Sequence, residues 1–348
     1  MERTEQGHRY GLHRVMDKKP CLPQAAERLD SSLPIFSNEI LIRVERLNID
    51  AASFVQMEEE TSNSLEKIAE IVRENTVRRG KQQNRITGSG GMLIGTVQQV
   101  GSSYRGPCRL KEGDRVATVV SLTLTPLHLE EVRKVFPKTH QIEAAGHAIL
   151  FENSLAVPLP TDFPEPVSMA VFDVAGAPAL THHLASAGNT VVVIGAGGKA
   201  GILSCLAARK KVGKGGGVIA IEPSTAACRD LRRLQICDAI LSIDASNPVA
   251  VESGVETATR GKMGNVVINV ASVPGTEISS ILASSQKGKV VFFSMATSFT
   301  TVALGAEGLL NRSTLLFGNG YFPGHCEMAI DLLRNSKAAH ALFLKRYV

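Results

Sequence analysis

Thr190-Val-Val-Val-Ile-Gly195-Ala-Gly197-Gly198-Lys199-Ala200-Gly201, running on into Ile202-Leu-Ser-Cys-Leu206-Ala-Ala, decides how this chain is read. The β-branched run reads as a buried strand, the glycines as a tight turn, and the apolar stretch after them as a helix start. The spacing is G-x-G-x-x-A. Gly195 permits the turn, and Gly197 lets backbone N–H groups approach a pyrophosphate. Ala200 is expected to keep the helix close to the sheet, while Gly198 and Lys199 open a helix whose N-terminus favours negative charge. A second strand over 218–221 ends at Glu222. That carboxylate lies about twenty residues past the glycines, where a dinucleotide's ribose hydroxyls are usually gripped. Gly195, Gly197, Gly198, Lys199, Ala200 and Glu222 are therefore the expected cofactor contacts, and NAD the expected cofactor. A carboxylate there repels a 2′-phosphate; Arg229, Arg232 and Arg233 are the groups nearby that would oppose it.

Outward from this stretch, strand–helix alternation continues from about residue 167, with strands expected over 191–194, 218–221, 239–243, 266–270 and 290–293. A helix is expected over 226–234. This is a doubly wound parallel sheet. The half before it differs. Segments 39–48, 91–100, 111–120 and 147–151 read as short strands between turns, giving a β-rich, barrel-like domain. A helix over 65–79 interrupts them, with Ile68, Ile71 and Val72 on one face and Gly80 as its stop. The proline-rich stretch 157–166 is the expected boundary. The expected division is thus 1–166, completed by a C-terminal segment 319–348, and a dinucleotide-binding domain over 167–318.

Composition narrows the class. The chain has 348 residues, 44% of them hydrophobic and 20% charged, with net charge +5. That is a soluble globular balance, without the clustered cations and stacking aromatics of a nucleic-acid binder. The amino terminus lacks the apolar run of a secretion signal, and the most apolar long window, about 190–208, carries Gly-Gly-Lys at its centre and does not suit a membrane span. Six scattered cysteines with no C-x-x-C fit free thiols in a reducing compartment. A cytoplasmic protein with no membrane or nucleic-acid partner is expected.

A β-rich domain, a proline linker and then a Rossmann domain: this order resembles the medium-chain dehydrogenase/reductase superfamily over nearly the whole chain. Metal-dependent members of that superfamily carry a Cys after the first strand pair, a Gly-His-Glu before the second and a Cys or Asp before the linker helix. Here Asn48-Ile-Asp50-Ala-Ala-Ser53 and Gly88-Ser-Gly-Gly-Met92 stand at the first two places. With no His ligand and no C-x-x-C lobe, Asp50 and Asp173 cannot build a tetrahedral N/S site, so no metal is expected.

Further blocks narrow the resemblance. They are 47–60, 87–97, 120–127, Asp173-Val-Ala-Gly-Ala-Pro178, 292–299, 303–308, Gly318-Asn-Gly-Tyr321 and Gly324-His325. Together they resemble the L-erythro-3,5-diaminohexanoate dehydrogenase family. The resemblance implies NAD-dependent oxidative deamination of the 3-amino group, giving 5-amino-3-oxohexanoate and ammonia, in lysine fermentation. The substrate is then a small diamino acid. Hydride loss from a C–N carbon leaves an iminium that water must hydrolyse, so the site needs a base, hydrogen bonds to a carbinolamine and anchors for a second ammonium and a carboxylate.

Candidate catalytic groups are Ser53, the run Glu58, Glu59 and Glu60, and Asp173. Each has a plainer reading: a solvated helix face for the glutamates, a helix N-cap for Asp173. Ser121 and Thr123 are lesser candidates, and His325 reads as structural. Ser294, Met295 and Asn319, after strands at the cofactor end, are expected to border the nicotinamide. A homodimer or higher homo-oligomer is expected. Two other readings stay open at this point: a zinc-free NAD(P)H quinone or enoyl reductase, and a dinucleotide-binding protein without turnover.

Overall fold

The computed structural model describes residues 2–318, 320–322 and 324–348, without the side chains of Ala51 and Ala52. Asn319 therefore lies outside the described residues. The chain forms two compact units, Met1–Met169 and Ala170–Val348.

The first unit contains β1 (Ile40–Asn48), α1 (Ala51–Thr61), α2 (Leu65–Arg79), β2 (Met92–Val100), β3 (Arg115–Thr118), β4 (Leu127–Phe136), β5 (Gln141–Leu150) and β6 (Ala156–Pro158). The strands pair in the order β4-β5-β1-β2-β3-β6, all antiparallel, with β4 and β6 at the two edges. Register shifts in β1 between Val44 and Arg46 act on both of its neighbours, and such bulges bend and twist a strand. One face of the sheet buries Ile40, Ile42, Val44, Leu93, Val97 and Ile142 with Phe54 and Met57 of α1 and Ile68 and Val72 of α2. Ile71, expected on the same face, is only half-buried. Ser64 caps α2 by accepting the Lys67 N–H, and Gly80 ends it at φ +60°. A Cβ at Gly80 would stand 2.0 Å from the Leu29 carbonyl oxygen, so only glycine fits this stop.

The second unit holds α4 (Gly176–Leu184), β7 (Thr190–Ile194), α5 (Lys199–Val212), β8 (Gly217–Ile221), α6 (Thr225–Leu234), β9 (Ala239–Leu241), α7 (Pro248–Thr259), β10 (Gly264–Asn269), α8 (Glu277–Leu282), β11 (Ser284–Phe292), α9 (Phe299–Leu304), β12 (Thr314–Phe317), α10 (His325–Arg334) and α11 (Lys337–Tyr347); α3 (Glu165–Phe172) leads into it. Its strands are parallel in the order β12-β11-β10-β7-β8-β9. The order reverses between β7 and β10, and ligands of such sheets bind at the carboxyl ends of the strands at that switch point. Val191, Val192, Val193 and Ile194 are fully buried. In α5 every residue from 200 to 208 is buried, which its small side chains allow.

The segment expected to complete the first domain behaves differently. Residues beyond 319 cluster with the second unit: α10 packs on α4 and α5, and α11 on α6. The cause is an apolar face, with Ala329, Ile330, Leu333, Ala339 and Phe343 buried. The strand over 127–136, absent from the sequence expectation, pairs with β5 along its length. Its HLEEVRKVF tail carries too many charges to read as a strand, because only one of its faces is covered.

Candidate active site

The glycine turn sits at the switch point. Gly195 has φ +80°, and a Cβ there would lie 2.7 Å from the Ala271 Cα, just past β10. A Cβ on Gly197 would lie 2.5 Å from the Ala227 Cβ and 2.7 Å from Glu222 Oε2, whereas one on Gly198 would meet only a distant carbonyl oxygen at 3.8 Å. Sequence spacing points to Ala200 for the close approach of helix to strand. The geometry gives that role to its neighbour Gly201, where a Cβ would stand 2.3 Å from the Gly195 carbonyl oxygen. Gly198 caps α5 without a side-chain hydrogen bond, and the N-terminus of such a helix favours negative charge.

Glu222 is bound on both oxygens. Oε2 accepts the Gly197 N–H at 2.9 Å and Oε1 the Ser224 N–H at 2.9 Å. The carboxylate is thereby fixed at the end of β8, facing the glycine turn, with 9% of the residue exposed. A helix N-terminus, a turn closed to side chains and a braced acid together fit a dinucleotide.

Asp173 lies between α3 and α4, and its Oδ2 accepts from Lys199 Nζ at 2.5 Å. It is paired with a cation rather than spent as a helix cap: the residue that caps α4 is Ala175. Lys199 opens α5, an end where a cation is disfavoured by the helix dipole, and Asp173 offsets that cost. Two phenols share this neighbourhood. Burial, with the charges of Cys326 and Asp173, pushes the Tyr321 hydroxyl up to about 12. Burial also raises Tyr347, against the cations Lys199 and Arg346. His325 is walled in: Nδ1 contacts the Phe322 carbonyl at 2.8 Å, Nε2 contacts Cys326 Sγ at 3.5 Å, and burial lowers its pKa. This is a structural histidine. Ser294 Oγ accepts the Ala296 N–H, and Met295 is 89% exposed in the loop after β11.

In the first unit the structure gathers a polar cluster around Ser53. This residue is buried, and its Oγ lies 2.5 Å from Thr87 Oγ1. Asn84 Nδ2 donates to Gln56 Oε1 at 2.6 Å, and its Oδ1 accepts the Ile86 and Thr87 N–H groups. Thr123 donates to Ser121 Oγ at 2.9 Å. The glutamate run occupies the last turn of α1, with Glu58 half-buried, Glu59 and Glu60 exposed, and Glu60 accepting from Gln56 Nε2. Gln56 and Thr87 lie within the blocks that carry the resemblance but had no role assigned to them, and Asn84 lies outside those blocks; only folding brings 53, 56, 84 and 87 together.

The metal-ligand positions are closed by packing. Asp50 caps α1 by accepting the Ser53 N–H. A Cβ on Gly90 would stand 2.5 Å from the Gln82 carbonyl oxygen and 2.7 Å from the Thr123 nitrogen, and one on Gly91 2.0 Å from the Asn48 carbonyl oxygen. Backbone crowds both places, so neither admits a histidine. Among the described residues no three His, Cys, Asp or Glu side chains group to hold a metal ion. No helix among them is long and apolar enough to cross a membrane.

Similar proteins show which family the chain belongs to. The family described as "L-erythro-3,5-diaminohexanoate dehydrogenase N-terminal domain" matches residues 13–160. The L-erythro-3,5-diaminohexanoate dehydrogenase of Acetoanaerobium sticklandii is 44% identical, covering 98% of this chain and 99% of its own. That of Fusobacterium nucleatum is 42% identical, over 99% and 100%. Among solved structures, the CurK enoyl reductase superposes with TM-score 0.55 at 16% identity, over 88% of this chain and 82% of its own. A Pseudomonas syringae quinone oxidoreductase superposes with TM-score 0.52 at 17% identity, over 94% and 86%. These last two share the fold alone. By its near full-length identity to two named relatives, the chain belongs to the L-erythro-3,5-diaminohexanoate dehydrogenase family, an oxidoreductase family on the medium-chain dehydrogenase/reductase fold.

Proposed function

We propose that this protein catalyses NAD-dependent oxidative deamination of L-erythro-3,5-diaminohexanoate to 5-amino-3-oxohexanoate and ammonia, without zinc, in the cytoplasm of a lysine-fermenting cell. The observation that carries the reading is identity of 44% and 42% to two diaminohexanoate dehydrogenases over almost every residue. The glycine turn, with Glu222 braced at its edge, supports a dinucleotide, and the sign of Glu222 favours NAD over NADP.

When bound, NAD supplies the hydride acceptor. The rest falls to this chain's residues. A carboxylate takes a proton from the 3-ammonium, and the free amine then releases hydride from C3 to leave an iminium. Once the base has passed that first proton to solvent, it takes a proton from water as the water oxygen attacks C3. The carbinolamine collapses when the base returns this proton to nitrogen and the hydroxyl proton is lost to solvent, forming C=O, breaking C–N and releasing ammonia. An iminium is already electrophilic, so no Lewis acid is needed. Asp173 and the run Glu58, Glu59 and Glu60 supply the candidates for base and ammonium anchor. Asp173, paired with Lys199, sits beside the glycine turn and is our choice as base. Ser53 supplies a hydroxyl for the carbinolamine. Lys199, Ala200 and the loop at Ser294 and Met295 border the cofactor.

A homo-oligomer forms through the second unit. Leu304, Leu309, Leu310 and Phe299 are each at least 70% exposed, close in the chain to the edge strand β12, and such patches mark interfaces. The test of the function couples NADH appearance to ammonia release from the diamino acid. NADH formed from a simple alcohol, or none from the diamino acid, overturns the reading.

A further inference from the structure

Arg346 lies in the last turn of α11, far along the chain from the glycine turn, yet it is bonded to it. Its Nη1 donates to the Gly197 carbonyl oxygen at 2.8 Å and its Nη2 to Asp230 Oδ2 at 2.7 Å. Gly197 is the residue whose N–H is held by Glu222. Its two peptide groups are thus gripped, one by the acid at the end of β8 and the other by a guanidinium from the last helix.

These bonds close into a ring. The Gly197 N–H donates to Glu222 Oε2, while Glu222 Oε1 accepts from Ser224, which caps α6. Asp230, on α6, accepts from Arg346, and Arg346 donates back to Gly197. The ring joins the turn after β7, the end of β8, α6 and α11. The Arg346 side chain is 25% exposed, and its planar fork reaches a neutral carbonyl and a carboxylate at once, which a lysine ammonium cannot do with the same fixed geometry. A cation also suits the C-terminal end of a helix. The position therefore costs α11 nothing and is aimed at the turn.

We propose that Arg346 is a positioning residue of the dinucleotide site: through Gly197 it sets the glycine turn and the Glu222 carboxylate in register for the adenosine ribose, making α11 part of cofactor binding. This rests on the dinucleotide reading given above. The guanidinium acts through the turn and takes no part in the chemical step.

The experiment is titration of the whole protein with NADH and with NADPH, followed by reduced-nicotinamide fluorescence, beside steady-state kinetics. Arg346→Gln is expected to weaken dinucleotide binding about tenfold, the order of one charge-assisted hydrogen bond. The Michaelis constant for the dinucleotide should rise in parallel, while kcat at saturating dinucleotide stays within about twofold. Arg346→Lys should recover part of the loss. Combining Arg346→Gln with Glu222→Gln should cost less than the two single losses added, because one turn is being held by both. If Arg346→Gln does not fold, Asp230→Asn, which releases the guanidinium from α6, carries the same expectation at smaller size. Unchanged binding with a lowered melting temperature would show that α11 serves stability alone, and strictly additive losses would show that Arg346 acts apart from the turn that Glu222 holds; either result overturns the proposal. A parent protein that binds neither dinucleotide overturns the cofactor reading and this proposal with it.

Discussion

Glu222 is expected to set the choice between NAD and NADP, and its geometry gives the effect a size. Both carboxylate oxygens are committed to backbone N–H groups, at 2.9 Å to Gly197 and 2.9 Å to Ser224. The charge cannot swing away from a 2′-phosphate. Two unit charges at about 4 Å interact by about 4 kcal/mol at an effective dielectric of 20. Salt and residual water reduce this, so about 3 kcal/mol, or roughly 10²-fold in preference, is the working figure. Glu222→Gln removes the charge while keeping the shape. It also turns one acceptor into an NH2 facing an N–H donor, which costs about 1–3 kcal/mol and weakens both cofactors alike. The ratio of kcat/KM for NAD to that for NADP should therefore fall about a hundredfold, on top of a common loss. Glu222→Arg should invert the preference. Both ratios come from initial rates with each dinucleotide at fixed diamino acid. Equal kcat/KM for the two in the parent, or an unchanged ratio in Glu222→Gln, would refute the reasoning.

Further outcomes follow from other sites. Asp173→Asn should lower kcat by about 10²–10⁴-fold if Asp173 is the base, whereas an anchor would mainly raise the Michaelis constant for the diamino acid; full kinetics on that variant and on Glu58→Gln separate the roles. Metal analysis of purified protein should find no stoichiometric zinc, and chelators should leave the rate unchanged. Gly90→Ala should destabilise the first unit by about 1–3 kcal/mol through overpacking against the Gln82 carbonyl and the Thr123 nitrogen, read as a lower urea midpoint; a midpoint equal to the parent's would contradict the packing described. Lys81 is buried against the carbonyls of Pro23 and Gln24, and burial, with repulsion from Arg79, lowers its pKa to about 8 from 10.5. Between those values the unfolded chain holds more protons than the folded one, so the parent gains stability as pH rises, by at most about 1.4 kcal/mol per pH unit. Lys81→Met should remove that rise in urea melts between pH 7.5 and 9.5.

Local order was legible in the residues. The strand over 190–194, the glycine turn and Glu222 could be read because each element is specified by neighbours in sequence: apolar period, positive φ at Gly195 and the fixed length of one strand–helix–strand unit. The helix over 65–79, with its Ser64 cap and Gly80 stop, was specified in the same way. The absent histidine at 90 and 91 was visible too, although the reason that none fits is tertiary.

What sequence could not decide depends on long-range contact. Arg14 looks like a surface residue, yet it has no exposed area. It donates to both oxygens of Glu39 at 2.7 and 2.6 Å, and burial alone would raise that carboxyl were it not held low by Arg14 and His13. Nothing local marks the pair, since its cost and its gain both arise only when the two charges leave water together. Asp173 and Lys199 are 26 residues apart, and Gly197 and Arg346 are 149 apart. No periodicity links such positions. By itself, sequence determined the elements and the chemistry of the glycine turn; tertiary structure alone decided which charges stand next to it, because a hydrogen bond depends on distances of about 3 Å that chain spacing does not encode.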